Sequence, residues 1–538
     1  MTKNRNMGRA IGVVAGVCAL SMVLAGCGGK DDSATKTDAN GKPVVDIWVV
    51  HDTTAQPKIN DMKWINEVSA ACDCTIKWTD QDSSNWSSSK GPTLATGDLP
   101  DIVINGVSTN DVAQYSSRFE DLAPYVDKMD NVKKLFDAWP SAKLMSEDLE
   151  GHIYTLPEST GEGFHGSGTH LIINKKWLDK LGLSMPTTWD EFLNVLDAFK
   201  TKDPNGNGKA DEIPMNFGKL STSQFPMNDP VAFINSTGIT TSLQSPAGMY
   251  GIYVDNGKVK NFLTSDNFKR TVEFLHSMME KGYVPSDALT KDSSKYWAEM
   301  QGDVETAGAV LAWNPIAVVG TDYQNDYVSV PPLKESADST AEPSWDYSAD
   351  FNQFNTGKLS VKKGANMDVI SKIINELYSE KLGVEMMYGS IPTYTKDNGD
   401  HSYTINMDDD VTLDVLSGSM AGWIHNEVKI DTNNGKTYNV PEFENADKPY
   451  RDTYTKIEKS GDYMPAYVVP SSEDMTSISN NNTAYMNYVL PTYSNWILKG
   501  GVDEQWDDYV KKLEANSGYT QNIQLWQKWY DNWAKKAK

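Results

Sequence analysis

Apolar and polar positions fall in blocks along this chain, and each block predicts an element. Val44 to Val50 (Val-Val-Asp-Ile-Trp-Val-Val) is a β-branched run that predicts a strand. Residues 56–71 put Ile59, Met62, Ile65 and Val68 on one face and predict a helix. A second strand is predicted at Thr75 to Trp78, a helix closing at Leu94-Ala95, a turn at Gly97-Asp98-Leu99-Pro100, and a third strand at Ile102-Val103-Ile104. Strand, helix, strand, helix, strand implies a parallel sheet with helices on its faces. The pattern resumes beyond residue 170, with a strand at Leu171 to Ile173 and a short helix at Trp177 to Leu181. A long helix to Lys200 follows Pro186-Thr187-Thr188-Trp189-Asp190-Glu191; Thr188 is its predicted N-cap, and Glu191, three residues on, completes a capping box. A further helix is predicted at 365–380. There is no internal repeat, and nothing after residue 27 is apolar for long enough to span a membrane.

One apolar run stands apart. Ile11 to Ala25 follows Lys3, Arg5 and Arg9 with no acid before it, and ends in Leu24-Ala25-Gly26-Cys27. A charged start, a short apolar middle and small residues before the cut are the parts of a secretory signal. A Cys directly after Leu-Ala-Gly resembles a bacterial lipobox, in which Cys27 becomes the acylated, palmitate-bearing first residue; the alternative is a plain signal peptide with a coincidental Cys. Residues 28–43 are small or polar and cannot build a core. They read as a tether, and several acyl chains at about 0.8 kcal/mol per buried methylene hold such a protein firmly on a membrane. The expectation is a signal peptide over 1–26, a lipidated tether over 27–43, and a body at the extracellular face of the cell membrane, of Gram-positive type.

Composition narrows the partners. A chain of 538 residues is too long for one core, so two lobes or more are expected. Sixteen Trp and twenty-five Tyr suffice for cores and binding surfaces together. The net charge of −24, with three of the cations in the leader, excludes nucleic acid and anionic lipid as partners. After the leader only Arg118, Arg270 and Arg451 remain, which disfavours an anionic ligand. Beyond the leader and Cys27 the cysteines are Cys72 and Cys74, expected as two small residues at the end of a helix, with a strained cross-link as the alternative.

Four segments carry a family resemblance. Gly97-Asp98-Leu99-Pro100-Asp101-Ile102-Val103, Phe119-Glu120-Asp121-Leu122-Ala123-Pro124-Tyr125, Glu150-Gly151-His152-Ile153-Tyr154-Thr155-Leu156-Pro157, and Asn174 to Leu183 followed by Pro186 to Phe192 occur in this order. Together, behind a lipobox, they resemble the family 1 extracellular solute-binding proteins that feed ABC importers. The tail from Pro470 onward is similar to the larger, lipoprotein branch with alginate-oligosaccharide binders. The resemblance implies an α/β, two-lobed periplasmic-binding-protein-like fold of type II, with ligand held between lobes joined by hinge segments. It implies lobe one at 44–168 plus 329–392 and lobe two at 169–328 plus 393–538. It further implies capture of an oligosaccharide by a monomer and delivery to ABC permease subunits, without catalysis.

The sharpest local motif is Asp203-Pro204-Asn205-Gly206-Asn207-Gly208-Lys209-Ala210-Asp211-Glu212. Oxygen side chains at alternate positions, then Gly at the sixth, is how an EF-hand loop begins, because a tight loop turns every second side chain inward. It departs from that motif at its end, where Pro214 stands in place of Glu. A polar Asn-Gly turn is the alternative. The alginate-binding relatives carry a similar calcium loop, which implies a structural calcium held by Asp203, Asn205, Asn207, the Lys209 carbonyl, Asp211 and Glu212.

Neutral sugars stack apolar faces on aromatic rings while amides and carboxylates take their hydroxyls. Trp313 ends a strand, Trp423 lies in a loop-like stretch, Trp345 sits near Asp346, Asp350, Asn352 and Gln353, and Trp86 is expected in a Ser-rich loop. His51 and Asp52 follow the first strand and Asn105 the third, where open α/β sheets bind ligands. His165 is a further ligand candidate, in a loop near a crossing segment. Trp64, Trp177, Trp189, Trp526, Trp529 and Trp533 are at helical spacing and are expected to pack. No Gly-x-Ser-x-Gly elbow or phosphate-gripping loop is present; Gly161 to Gly166 fits a Gly-x-Gly-x-x-Gly pattern by letter without opening a helix. The rival readings are the same scaffold binding an acidic sugar or peptide, a surface glycoside hydrolase, and an adhesion lipoprotein.

Overall fold

The computed structural model describes residues 36–148, 150–161, 166–348, 352–406, 408, 415–416, 418–433, 445–465 and 467–536. The leader, Cys27, His165 and Asp350 lie outside them.

Two sheets organise the described chain. In the first, β2 (Thr75–Asp82) and β3 (Ile102–Ile104) run parallel to β1 (Val44–His51) on either side, and β4 (Thr155–Ser159) closes the first pass. β5 (His170–Asn174) and β6 (Ile213–Asn216) begin the second sheet, and the hairpin β7 (Ile252–Asp255) and β8 (Lys258–Asn261) stands apart. β9 (Ala307–Ala312) then lies between β5 and β6, and β10 (Tyr327–Ser329) pairs with the other edge of β5, giving the order β10-β5-β9-β6. The chain re-enters the first sheet through β11 (Phe354–Val361), inserted between β3 and β4 in the order β2-β1-β3-β11-β4. That sheet is therefore mixed, where the sequence predicts a parallel one. β11 enters beside Ser159, the end where β4 finishes, so it has to run against β3 and β4. A small sheet of β12 (Thr395–Gly399), β13 (Ser402–Ile405) and β14 (Lys429–Thr432) follows.

Each main sheet has its own apolar core. The helix Met367–Leu377 packs in the first core, and the helices Arg451–Ser460, Ser472–Lys499 and Val502–Glu514 in the second. Val330, Leu333, Trp345 and Tyr347 also join the second core, whereas Leu416, Met420 and Trp423 join the first. Packing thus keeps the chain in lobe two past residue 329 and in lobe one past residue 392, because β10 completes the second sheet before the chain crosses.

Two predicted elements differ in detail. The helix predicted over 56–71 is a 3-10 turn, Ile59–Asp61, followed by the helix Ile65–Cys72. The break falls at Met62, whose backbone is extended (ψ 131°), while the Ile59 amide at the start of the segment donates to Asp80 Oδ1 at 2.8 Å. Thr188 does cap the helix Trp189–Thr201, but Glu191 reaches back to the amide and hydroxyl of Thr187 (2.7 and 2.6 Å), one residue short of a closed capping box. Cys72 and Cys74 are bridged, with Cα atoms 5.2 Å apart and Asp73 between them at φ 50°. That is the alternative the sequence left open, with the left-handed residue ending the helix.

Candidate functional site

The chain passes from β4, which ends at Ser159 in the first sheet, to β5, which begins at His170 in the second, and again from Tyr347 in the second core to β11 in the first sheet. Partly and fully buried hydrogen bonds tie the described residues of these passages. Gln244 accepts from the Gly168 amide at 3.0 Å and donates to Asn352 Oδ1 at 2.7 Å, linking the two. Asp346, buried on the second, accepts from the Thr241 hydroxyl and the Leu243 amide, both at 2.8 Å. His170 Nδ1 donates to the Trp313 carbonyl at 2.7 Å, while its Nε2 lies 3.1 Å from Asp447 Oδ1, which also accepts from the Tyr454 hydroxyl at 2.7 Å.

Trp313 is therefore anchored by its backbone to the crossing region, and its side chain lines a cavity of about 360 Å³ at the carboxyl ends of β6 and β9. Tyr296 and Trp297, on the helix Ser293–Met300, line the same cavity, with Trp297 43% exposed. Asn216 also lines it and is held from behind by Lys291 and Glu299. Lys291 Nζ, fully buried, donates to Asn216 Oδ1 at 2.7 Å and Glu299 Oε2 at 2.5 Å, and Asn216 Nδ2 donates to the same Glu299 oxygen at 3.0 Å. Flat rings beside a network of amide, ammonium and carboxylate groups suit a ligand with apolar faces and hydroxyl edges. Asp229, also on this wall, is buried and accepts from the Val231 amide and the Tyr493 hydroxyl; burial pushes its carboxyl up to about 7.

Among the described residues singled out in the sequence, the structure brings Trp313 alone to this cavity. Four others are packed in the interior. Trp86 lies on the helix Ser83–Thr96 rather than in a loop, and its indole donates to the Gly106 carbonyl at 2.7 Å. Trp345 donates to the Thr169 carbonyl at 2.6 Å and stacks on Tyr450. Trp423 donates to the Tyr378 carbonyl at 3.0 Å and stacks on His425. His51 is buried against Asp80 at 2.8 Å. In each case a ring N–H found a partner inside, and the ring filled a core. Asp52 is exposed and caps the turn at Thr54 and Ala55. Asn105, at φ 58°, donates to the Val50 carbonyl and accepts from Lys358 Nζ at 2.9 Å; that ammonium also lies 3.4 Å from the buried Glu158 carboxylate. Asn352 is half-buried on Gln244. Trp64, Trp177, Trp189, Trp526 and Trp529 are buried as expected, and Trp533 is partly buried.

Trp297 was missed. Its signal was present: Tyr296 and Trp297 are adjacent aromatics in a short polar helix, and adjacent positions cannot both face one core.

The loop at 203–212 converges as its spacing predicts. Asp203, at φ 48°, accepts from the amides of Gly206, Asn207 and Gly208 at 2.9 to 3.1 Å. The Asn205 and Asn207 side chains both reach Asp211, at 2.9 and 3.0 Å. Glu212 Oε1 is buried with no hydrogen-bond partner, and burial, then Asp203 and Asp211, raises its carboxyl.

A larger cavity, about 580 Å³, lies elsewhere between the lobes, lined by Met145, His152 and Tyr154 from the first and Tyr467, Trp529 and Trp533 from the C-terminal segment. Lys536 donates to the Asp148 carbonyl beside it.

A family model described as bacterial extracellular solute-binding protein matches residues 56–350, more than half of the chain. A solved Bifidobacterium longum infantis structure, described as an HMO-binding ABC-transporter-associated solute-binding protein, is 37% identical with a TM-score of 0.84, covering 92% of this chain and 99% of that one. The fructooligosaccharide ABC transporter substrate-binding protein FusA of Streptococcus pneumoniae is 27% identical over 549 positions, 95% of this chain and 96% of its own. FusA solved with kestose (TM-score 0.65, 23% identity, 92% of this chain and all of that one) and as an EF-hand mutant (0.66, 22%, the same coverage) shares the fold. So does the alginate-binding protein AlgQ2, solved without calcium ion (0.58, 19%, 91% of this chain and 98% of that one). The two-lobed α/β architecture expected from the sequence is the one these structures share, and the chain belongs to the bacterial extracellular solute-binding proteins.

Proposed function

We propose that this chain is the capture component of an ABC sugar importer. It holds an oligosaccharide between its lobes, closes by a hinge motion and presents the ligand to a membrane permease without breaking a bond. The observation that carries this is the cavity at the ends of β6 and β9, where Trp297 and Trp313 stand beside the Asn216–Lys291–Glu299 network. The likeness to the HMO-binding Bifidobacterium protein and to the fructooligosaccharide-binding FusA supports a sugar of several units. Isothermal titration against neutral and uronic oligosaccharides and peptides tests it. Trp297→Ala and Trp313→Ala are each expected to lose about 1.5–3 kcal/mol, roughly tenfold to a hundredfold in Kd, with the melting temperature kept. Unchanged affinity in both variants, or mass-spectrometric cleavage products from the bound sugar, overturns the reading.

Two finer points belong to the same proposal. Cys27 carries the lipid anchor, so Cys27→Ser moves the protein from the membrane to the medium. The loop at 203–212 holds a structural calcium through Asp203, Asn205, Asn207, the Lys209 carbonyl, Asp211 and Glu212. The donor set fits such an ion: the Asn205 and Asn207 amides gather on the Asp211 carboxylate, a carboxamide flip would present their oxygens, and the buried Glu212 Oε1 has no hydrogen-bond partner.

A further inference from the structure

Beside the small sheet, Glu380, His425 and Glu427 each offer a ligand atom, all within 4.8 Å of one another. Glu380 opens the helix Glu380–Tyr388; His425 and Glu427 lie on the loop that runs from Trp423 to β14. The His425 side chain is 4% exposed, and its ring stacks on the Trp423 indole with centroids 4.0 Å apart. Its Nε2 lies 3.1 Å from the Tyr378 carbonyl, which only accepts, so the proton sits on Nε2 and Nδ1 presents a lone pair. That Nδ1 faces Glu427 Oε1 at 3.7 Å, too far for a hydrogen bond. Two acceptors thus face each other.

Glu380 is held from behind. The Tyr403 hydroxyl donates to Oε1 at 2.8 Å, and His401 Nδ1 lies 2.6 Å from Oε2. His401 is placed there by the two-residue turn Asp400–His401 between β12 and β13, both residues at positive φ (51° and 58°) as a tight hairpin turn requires. Each Glu380 oxygen keeps a second lone pair. An imidazole with one nitrogen tied to a carbonyl, and a carboxylate gripped by outside donors, are the supports that orient metal ligands.

We propose that Glu380, His425 and Glu427 bind a divalent transition-metal ion of the zinc class, with water in the remaining position. One imidazole and two carboxylates form a borderline nitrogen-and-oxygen set, suited to zinc, whereas calcium takes oxygens alone. The ion fastens the 418–428 loop to the helix Glu380–Tyr388. That loop also pairs with the end of β4: the Ser159 amide donates to the Gly422 carbonyl at 2.9 Å and the Ile424 amide to the Ser159 carbonyl at 3.1 Å. The fastening thus acts where the chain leaves the first sheet for its first crossing. None of these residues belongs to the sugar cavity or the calcium loop, so this proposal stands or falls apart from the proposed function.

The test is a zinc titration of the full-length purified chain, stripped with chelator and then saturated with calcium, against a colorimetric zinc indicator. One zinc per chain is expected, with a visible four-coordinate band when cobalt replaces it. Glu427→Gln alters a half-exposed side chain and leaves the fold intact; it is expected to weaken zinc by more than about 100-fold, beyond what loss of a merely supporting group causes. Zinc should raise the melting temperature of the wild type and not of that variant. The proposal is overturned by absence of zinc uptake, by uptake that survives both Glu427→Gln and Glu380→Gln, or by uptake lost in Asp211→Asn, which would assign the ion to the calcium loop.

Discussion

Asp229 carries a carboxyl almost closed off from water, and the cost of ionising it there has a measurable sign. Its folded value of about 7 lies above the ordinary carboxylate value of about 3.9, so the folded state keeps a proton that the unfolded chain has released. Its contribution to stability is present at low pH and is lost as pH rises through about 7. Asp229→Asn keeps an oxygen for the Val231 amide and the Tyr493 hydroxyl but cannot ionise. The melting temperature of the variant relative to wild type is expected to climb between about pH 4 and about pH 7 and to level off above; parallel profiles would show that the carboxyl does not titrate there. At this scale the sequence was least legible. Residue type showed that aromatics were available, but not which would turn inward. Trp86, Trp345 and Trp423 each satisfied an indole N–H on a buried carbonyl, a choice made by distant backbone. Trp297 found no such partner in its own helix face and stayed in the open.

Elements were far easier to read. The strands β1 to β3 and β5, and the helix capped by Thr188, follow from runs and caps a few residues long. What local pattern lacked was tertiary context: the extended Met62 that interrupts the first helix, and the return of β11 into a sheet begun some three hundred residues earlier. The tight turn at 203–212 was legible in its Asn-Gly spacing, with Asp203 accepting from three following amides; the calcium it is proposed to hold awaits a direct test. Calcium is expected to raise the melting temperature, and Asp211→Asn to abolish that rise, in a calorimetric scan with and without chelator. Sugar affinity in the same variant should change by no more than about twofold, since distant sites act nearly additively.

Across the whole molecule, the proposed closure requires crossings that move together. A Cβ on Gly168 would stand 2.4 Å from Gln244 Oε1, displacing the side chain that joins the first crossing to Asn352 on the second. Gly168→Ala is therefore expected to weaken sugar binding roughly fivefold or more, with Trp297 and Trp313 untouched, and to shrink the ligand-induced change in radius of gyration seen by X-ray scattering. An unaltered scattering change would mean the lobes close without that link.

The cavity shared by Tyr154 and Trp533 gives this motion an optical handle. Indole emission shifts with its surroundings, and here Trp529 and Trp533 sit across from groups carried by the opposite half. On the proposed function, ligand-driven rearrangement should change the native fluorescence spectrum, which gives a dye-free assay of ligand binding in the last helical turns.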